Sequence, residues 1–494
     1  MRNGIICVMK VRMILAVGVL SMVFAGFART FEVAAWRGET VAARVPDFAE
    51  IGKAPEGFSV RYGVLKSVKY APKVEDLQRL EVYDRVKWGL EGEEGPRVVE
   101  VRVPENAKPG VYACGSMRIR VVDRVLPPAK DWKYFLDLWQ HPWAVARMAK
   151  VKPFSKAHYA AMRPLWKELA TAGQKVLTVT LVDQPWDHQC YDAYGSMIGR
   201  VKKADGSWAF DYSIFDEYVE FGRKCGLGPD IACYTMCPWG YVCRYQDESG
   251  KTISVTCNPG TPQFEDFWGA FLVDFAAHLK SKGWFNDTYI AMDERSPEDV
   301  SEIATFIQSK APGMRVAMAG NRSPSDFKGI TIDNYSQILG HVSTNFLAEV
   351  KERRAQGYKT TYYVCCWPIY PNTFMSSGAG EAFWLGAFPG VCGLDGFLRW
   401  AWNSWPQNPE KDATFGTWAS GDTFLVYPDG SPSWRFLELR NGIIAAEKLN
   451  ILREQNVRTA EIEQLSSLYV EKEAMANRSN FVNIRAKTLG VVNK

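Results

Sequence analysis

Two adjacent carboxyl residues, Asp293 and Glu294, follow the apolar run 288–292 at the point where a buried parallel strand would pass into a loop. At the C-terminal end of a barrel strand, two such groups can occupy different environments. One can stay ionised and stabilise a developing positive charge, while the other is kept protonated and donates its proton. That division of roles suits cleavage of a glycosidic bond. Taken alone, the dipeptide is more often a solvated pair of loop acids, so the elements around it must decide.

The composition narrows the classes of function. The chain has 494 residues, a net charge of +4, 13% aromatic residues and 18 Trp. This aromatic content suits stacking on the flat faces of sugars, although large barrels also bury many aromatic rings. Both signs of charge are interspersed, so we expect no nucleic-acid partner. The five His residues show neither His-x-His nor His-x-x-x-His spacing, so we predict no metal site and no cofactor.

The N-terminus resembles an export signal. Lys10 and Arg12 precede the apolar stretch 13–24, and small residues follow at Gly26 and Ala28. We therefore predict a signal peptide over 1–28 and a periplasmic or extracellular protein. The apolar stretch is too short to cross a bilayer, and no later segment is predicted to span a membrane. Export permits disulfides, but Cys233, Cys237 and Cys243 are spaced as buried thiols or one disulfide rather than as zinc ligands.

The pattern of predicted secondary structure changes near Pro128. Residues 29–128 contain short alternating runs broken by Gly and Pro, which predicts an antiparallel β-sandwich. Over 129–455, strands alternate with amphipathic helices, as in a (β/α)8 barrel. The predicted strands are 134–138, 175–182, 231–236, 288–292, 315–319, 330–333, 360–365 and 396–400. A doubly wound sheet is the alternative. Residues 456–494 are predicted to form a helical tail.

Polar and aromatic residues follow the predicted strands, where a barrel collects its active site. They include His141, Trp186, Trp239, Asn334, Tyr335, Trp367, Trp402, Asn403 and Trp405. A barrel with no site would have no reason to place so many Trp on one rim.

Several motifs together resemble glycoside hydrolase family 123. They are Leu136-Asp137-Leu138-Trp139-Gln140-His141-Pro142, Pro185-Trp186, Pro238-Trp239, Asp293-Glu294 and Leu398-Arg399-Trp400-Ala401-Trp402-Asn403. The resemblance covers most of the chain. It implies an exo-acting retaining β-N-acetylgalactosaminidase, in which the 2-acetamido group of the substrate attacks the anomeric carbon. The implied partner is a glycan with a terminal N-acetylhexosamine.

The resemblance also implies roles for individual residues. Glu294 would be the general acid, with a raised pKa, and then the base toward water, while Asp293 would stay ionised and accept from the acetamide N–H. Tyr335 is the candidate donor to the acetamide carbonyl. The candidate walls of the acetamide pocket are Trp367, Trp400 and Trp402. The candidates for binding sugar hydroxyls are His141, Trp186, Trp239 and Asn403.

Other readings stay open at this point. The enzyme could cleave another β-linked sugar, using Glu294 with a remote carboxylate such as Asp183 or Asp395. It could also be a carbohydrate-binding protein without activity. Arg295 stands where the resemblance leads us to expect Pro after the carboxyl pair. This difference leaves the identity of the substrate sugar more open than the identity of the catalytic acid. The oligomeric state and the role of the sandwich do not follow from the sequence.

Overall fold

The computed structural model describes residues 29–89, 93–470 and 477–494. The predicted signal peptide, residues 1–28, lies outside the described residues, so export remains a prediction. Within the described ranges, no helix is both long enough and apolar enough to cross a membrane.

The N-terminal part forms a β-sandwich, as predicted. Its strands are β1 (Phe31–Arg37), β2 (Thr40–Arg44), β3 (Ser59–Tyr70), β4 (Leu80–Trp88), β5 (Arg97–Arg102), β6 (Gly110–Cys114) and β7 (Met117–Val125). One sheet, in the order β2-β5-β3-β4, is antiparallel throughout. The other has the order β1-β7-β6, and there β1 runs parallel to β7. Alternate residues such as Val33, Ala35, Val99 and Val101 fill the core between the sheets.

The predicted barrel is confirmed. The strands after the sandwich are β8 (Phe135–Leu138), β9 (Val176–Thr180), β10 (Gly199–Lys202), β11 (Trp208–Asp211), β12 (Asp230–Tyr234), β13 (Val242–Asp247), β14 (Thr252–Thr256), β15 (Thr288–Asp293), β16 (Arg315–Gly320), β17 (Asn334–Ile338), β18 (Lys359–Tyr363) and β19 (Gly396–Arg399). Eight of them run parallel in the order β8-β19-β18-β17-β16-β15-β12-β9. A bridge between Leu136 and Gln174 brings β8 next to β9 and nearly closes the ring. β10, β11, β13 and β14 form a small separate sheet.

Helices cover the outside of the barrel. They are α1 (Pro142–Ala149), α2 (Lys156–Ala170), α3 (Ser213–Lys224), α4 (Pro262–Lys282), α5 (Pro297–Lys310), α6 (Thr344–Ala355) and α7 (Glu381–Cys392), followed by α8 (Trp434–Glu454) after β19. The exception is the connection from β16 to β17, which contains only a 3₁₀ turn at Pro324–Asp326. Local signals set the ends: Ser296 caps α5 by accepting from Asp299 N–H, and Pro297 is its first residue.

The sixth predicted strand is wrong in position. Residues 330–333 precede the strand, which begins at Asn334. Just before the strand, Asp333 bonds to the start of β16: its side chain accepts from Val316 N–H at 2.8 Å, and its own N–H donates to Val316 O at 2.8 Å. The true strand carries Asn334, Ser336 and Gln337, and this polar sequence hid it.

The C-terminal helices join the domains. In α8, Arg435 pairs with Asp84 of β4 at 3.0 Å, so this helix contacts the sandwich as well as the barrel. Two further helices, α9 (Thr459–Val470) and α10 (Asn480–Val492), form the predicted helical tail and pack on α7. Trp384 of α7 stacks on Tyr469 of α9 with ring centroids 5.3 Å apart. The cysteines that the structure describes are all free thiols, and Cys233 is among the buried ones.

Candidate active site

The adjacent carboxyl groups occupy the C-terminal mouth of the barrel. Asp293 is the last residue of β15, and Glu294 follows it. In a regular strand, successive side chains point to opposite faces. Glu294 instead has a left-handed backbone with φ of 43°, and its N–H donates to Ala319 O on β16 at 2.8 Å. This turn lets both carboxyl groups face the mouth, at a backbone cost of roughly 1–2 kcal/mol for a residue other than glycine.

The surroundings of Asp293 raise the pKa of its carboxyl group. Its pKa is raised to about 7, first by burial and then by the neighbouring Glu294 charge. The positive charge of Arg295 and the indole N–H of Trp239 act in the opposite direction. Trp239 Nε1 nevertheless makes no hydrogen bond of ordinary geometry within the protein. The resemblance implies that Asp293 stays ionised, whereas burial favours its protonated form.

Glu294 is held by a residue that we did not predict. The hydroxyl of Tyr363, the last residue of β18, donates to Glu294 Oε1. Burial raises the pKa of Tyr363 first of all, and the Glu294 charge adds to this, so the phenol remains a protonated donor. The sequence predicts that this strand extends to residue 365, which would place Tyr363 inside it. Because the strand ends two residues earlier, Tyr363 stands at the barrel rim.

An aromatic wall lies beside the carboxyl pair. Trp139 stacks on Trp186 with ring centroids 4.9 Å apart, and both contact Tyr234, at 4.5 and 5.1 Å. Trp239 packs against the same inner cluster. The indole N–H groups of Trp139, Trp186 and Trp239 are buried without a hydrogen-bond partner. Of these residues, the sequence predicted Trp186 and Trp239, whereas Trp139 and Tyr234 were not assigned.

A third carboxyl group lies deeper in the barrel. Asp137 of β8 is 3% exposed, and its Oδ1 has no hydrogen-bond partner. Its pKa is raised to about 7, chiefly by burial; the Trp139 indole acts to lower the pKa and the charge of Asp230 acts to raise it. The negative charges of Asp137 and Asp293 both raise the pKa of Tyr234, after its burial. Asp137 was noted only as part of a motif, because an acid within an apolar run signals no function by itself.

Two residues that the sequence predicts to bind sugar hydroxyls, His141 and Asn403, instead make hydrogen bonds within the protein that hold loops in place. His141 caps α1, its Nε2 lies 3.0 Å from Asp192 O, and its ring stacks on Tyr194 at 3.6 Å. Burial lowers the pKa of His141 to about 3, so the imidazole is neutral. The side chain of Asn403 exchanges two hydrogen bonds with the His141 backbone, at 2.8 and 3.0 Å. Both side chains are fully buried, and we correct their assignment to sugar binding.

Two other predicted residues point away from the mouth. Tyr335 lies within β17, and its hydroxyl donates to Arg322 O at 2.6 Å in the outer layer, where its ring also contacts Phe327. The error follows from the misplaced strand, since Tyr335 was expected to stand on the rim. Trp402 is fully buried and packs on Phe436 of α8 with centroids 4.6 Å apart. Neither side chain can form part of an acetamide pocket here.

The last two predicted residues do lie at the rim. Trp400 follows β19, packs against the inner aromatic cluster, and donates from Nε1 to Asp422 Oδ1 at 3.2 Å. Trp367 is 45% exposed, and its ring lies against Gly340 and 6.0 Å from the ring of His341. Trp367 is therefore a platform at the edge of the mouth and not a pocket wall.

The remote carboxylates considered from the sequence have structural partners. Asp395 precedes β19 at the opposite end of the barrel, where its side chain accepts from Thr360 N–H at 2.7 Å and pairs with Arg354 at 2.9 Å. Asp183 accepts from Ser196 N–H at 2.7 Å. Their positions leave Asp293 as the carboxyl group adjacent to Glu294.

A cleft of about 760 Å³ opens elsewhere, between the loop after β16 and α6. Its lining includes Asn321, Arg322, His341 and Glu349, and neither Asp293 nor Glu294 contributes to it. The cleft lies where the barrel lacks a helix between β16 and β17. Chemistry rather than size therefore identifies the candidate site. Among the described residues, no three His, Cys, Asp or Glu side chains are grouped as metal ligands.

The sequence and the fold of this chain are similar to those of glycoside hydrolase family 123. The model of the glycoside hydrolase 123 catalytic domain matches residues 139–452. No curated protein matches the sequence. A solved structure of a family 123 glycoside hydrolase from Clostridium perfringens, analysed for glycolipid glycan hydrolysis, superposes with a TM-score of 0.81 at 23% identity, covering 94% of each chain. An endo-1,4-β-D-xylanase from Clostridium thermocellum covers 83% of this chain and 86% of its own, with a TM-score of 0.35 and 9% identity.

Proposed function

Because this chain belongs to glycoside hydrolase family 123, we propose that it is an exo-acting, retaining enzyme that removes terminal β-linked N-acetylgalactosamine from glycans. The observation that carries this proposal is the position of Asp293 and Glu294, adjacent in the chain and turned toward one mouth. The Clostridium perfringens enzyme, analysed for glycolipid glycan hydrolysis, supports glycolipid glycans as the substrate class.

Adjacent carboxyl groups suit an internal nucleophile. In most retaining glycosidases, two carboxyl groups about 5 Å apart flank the anomeric carbon, and one of them attacks it. Neighbouring residues on one turn approach the sugar from the same side, so Asp293 is poorly placed to attack. The acetamide oxygen of the substrate attacks instead and closes an oxazolinium ring. Glu294 donates its proton to the glycosidic oxygen, then accepts a proton from the water that opens the ring.

The raised pKa of Asp293 fits this scheme if the two carboxyl groups share one proton. Asp293 holds a proton up to about pH 7. When the acetamide N–H donates to Asp293, the carboxylate form of Asp293 is favoured, and the proton is then available to Glu294. Asp293 subsequently stabilises the positive oxazolinium. Above about pH 7 the pair loses this proton and the acid is missing, so kcat/KM falls.

Tyr363 and the aromatic wall complete the site. Tyr363 donates to Glu294 and so fixes the direction of the acid toward the leaving group. Trp139, Trp186 and Trp239 offer unpartnered indole donors beside flat apolar rings. Such surfaces bind the faces of a sugar ring while the N–H groups bind its hydroxyl oxygens. We assign Trp400 to the same wall and Trp367 to the region beyond the cleaved bond.

The proposal is tested with p-nitrophenyl glycosides of β-N-acetylgalactosamine, β-N-acetylglucosamine and β-galactose. Wild type should cleave the N-acetylated substrates, best the galactosamine, and release the β-anomer, as observed by proton NMR. Asp293→Asn and Glu294→Gln should each lose about 100-fold or more in kcat, the range for general acid–base groups. Asp183→Asn is the matched control, because its carboxyl group bonds to Ser196 and not to Glu294.

The control also separates the alternatives. Cleavage of the plain β-galactoside, or loss of activity in Asp183→Asn with Asp293→Asn still active, would refute acetamide assistance and favour an ordinary pair with a remote carboxylate. Binding of N-acetylgalactosamine without cleavage of any β-linked N-acetylhexosaminide would refute the proposed enzymatic activity and favour a carbohydrate-binding protein.

A further inference from the structure

Two neighbouring cysteines stand at the mouth of the barrel. Cys365 and Cys366 follow Tyr363 by two and three residues, and their Sγ atoms are 3.9 Å apart. Of the cysteines in the described part of the chain, Cys366 alone is exposed, while Cys365 is half-buried. Trp367, the exposed ring of the rim, comes directly after them. The pair therefore lies between the residue that holds Glu294 and the proposed platform for the leaving group.

A buried network holds this turn in place. Asn372 is fully buried, and its Nδ2 donates to Cys365 O at 3.0 Å and to Pro368 O at 2.7 Å. Its Oδ1 accepts from Arg399 at 3.2 Å, and Arg399 pairs with Asp422 at 2.7 Å, both fully buried. The turn at Cys365 and Cys366 is therefore held by hydrogen bonds from buried residues, and these bonds keep the two sulfur atoms close together.

The two thiols are arranged for reaction with each other. The hydrogen bond from Cys365 lowers the pKa of Cys366, although burial and the charges of Asp422 and Glu294 oppose this. A thiolate is the form that attacks a disulfide. The half-buried Cys365 supplies the second thiol beside it, and the two sulfur atoms, 3.9 Å apart, must approach to a bonding distance of about 2.05 Å.

We propose that Cys365 and Cys366 form a reversible vicinal disulfide at the rim of the active site. The oxidant is a small disulfide such as glutathione disulfide. The Cys366 thiolate attacks one of its sulfur atoms, which forms a mixed disulfide and releases one glutathione thiolate. The Cys365 thiolate then attacks the Cys366 sulfur and releases the second glutathione. Each cysteine loses one hydrogen, and the oxidant gains two electrons and two protons.

The geometry also makes the bond easy to reduce. Adjacent Cα atoms are about 3.8 Å apart across a trans peptide, below the range of about 4.4–6.8 Å found for most disulfides. Strained and exposed disulfides are the labile ones. The bond therefore forms under the oxidising conditions expected after export and opens again with a dithiol. Its eight-membered ring would fix the turn that leads into Trp367.

The test equilibrates the purified full-length protein with glutathione disulfide, blocks thiols with N-ethylmaleimide under denaturing conditions, and maps chymotryptic peptides by mass spectrometry. The peptide 364–374 contains no other cysteine, and its Trp367–Pro368 and Tyr370–Pro371 bonds resist cleavage because proline follows. We expect this peptide to lack two hydrogen atoms, to carry no maleimide, and to gain two maleimides after treatment with dithiothreitol.

A matched pair of variants identifies the bond. In Cys366→Ser, position 365 should carry maleimide or one glutathione and no internal link, whereas Cys392→Ser should behave as wild type. Two maleimides on the wild-type peptide after oxidation would overturn the proposal. So would a stable mixed disulfide at Cys366, because the second exchange would then not occur. These readouts are independent of glycosidase activity.

Discussion

Asp293→Asn should stabilise this protein at alkaline pH while it removes activity. In the wild type, ionising Asp293 lowers the free energy of unfolding, because the pKa of this carboxyl group is raised from 3.8 to about 7, first by burial and then by the Glu294 charge. The Asn side chain does not ionise, so the variant avoids this loss. Each pKa unit corresponds to about 1.4 kcal/mol, so a shift of about three units costs at most about 4 kcal/mol once the group is ionised. Because Asp293 keeps some contact with solvent, we expect a gain nearer about 2 kcal/mol.

The sign depends on pH. Below about pH 4 the carboxyl group is protonated in both the folded and the unfolded chain, so the variant gains nothing. Between about pH 4 and about pH 7 the unfolded chain ionises while folded Asp293 stays protonated, and the wild type loses stability relative to the variant. Above about pH 7 both states are ionised and the full difference remains.

Thermal unfolding at a series of pH values measures this difference. For a chain of this size the entropy of unfolding is about 1 kcal/mol per degree, so the melting temperature of the variant should exceed that of wild type by about 2 °C near pH 8. Near pH 4 the two should coincide. Glu56→Gln, which removes the same formal charge at an exposed turn position, is the control for the loss of one negative charge. A difference that stays constant with pH, or a variant less stable at pH 8, would refute the reasoning.

Three other sites give predictions of different kinds. Arg295→Ala removes the positive charge that lowers the pKa of Asp293, so the alkaline limb of the kcat/KM profile should move to higher pH; an unmoved limb would exclude Asp293 as its source. Tyr363→Phe removes the donor to Glu294, the proposed catalytic acid, and kcat should fall about 10- to 100-fold, the value of a hydrogen bond to a charged group. Tyr335→Phe is its control, since that hydroxyl bonds in the outer layer, and equal losses in the two variants would contradict the assignment. Trp367→Ala should raise KM roughly 3- to 10-fold for an oligosaccharide but not for an aryl glycoside, as expected for a lost stacking surface.

The parts of the fold with strong local patterns could be predicted from the sequence. β15 is a continuous apolar run, because a parallel strand is buried on both faces. The end of this run made the carboxyl pair recognisable in the sequence. The position of β17 was predicted wrongly for the opposite reason. Asn334 and Gln337 give it a polar sequence, whereas the more apolar Ile330 and Ile332 lie in the preceding segment. A strand placed four residues too early put Tyr335 on the rim.

The site itself could be predicted only in part. Asp293, Glu294, Trp186 and Trp239 lie at or beside the mouth, where strand ends and the motifs placed them. Tyr363 was missed because a difference of two residues in a strand end decides which side chain stands on the rim. Other errors came from residue type alone. A His or an Asn near a strand end can bind a sugar or brace a loop, and only the long-range hydrogen bonds of the fold distinguish the two.

The most direct test of the mechanism alters the nucleophile in the substrate. A series of p-nitrophenyl N-acyl-β-galactosaminides, in which the acetyl methyl group carries none, one, two or three fluorine atoms, lowers the electron density of the acetamide oxygen step by step. If this oxygen attacks the anomeric carbon while Asp293 and Glu294 assist, kcat/KM should fall steeply with each fluorine. A value of kcat/KM that is indifferent to fluorination would contradict substrate assistance and, with it, the role assigned to the carboxyl pair.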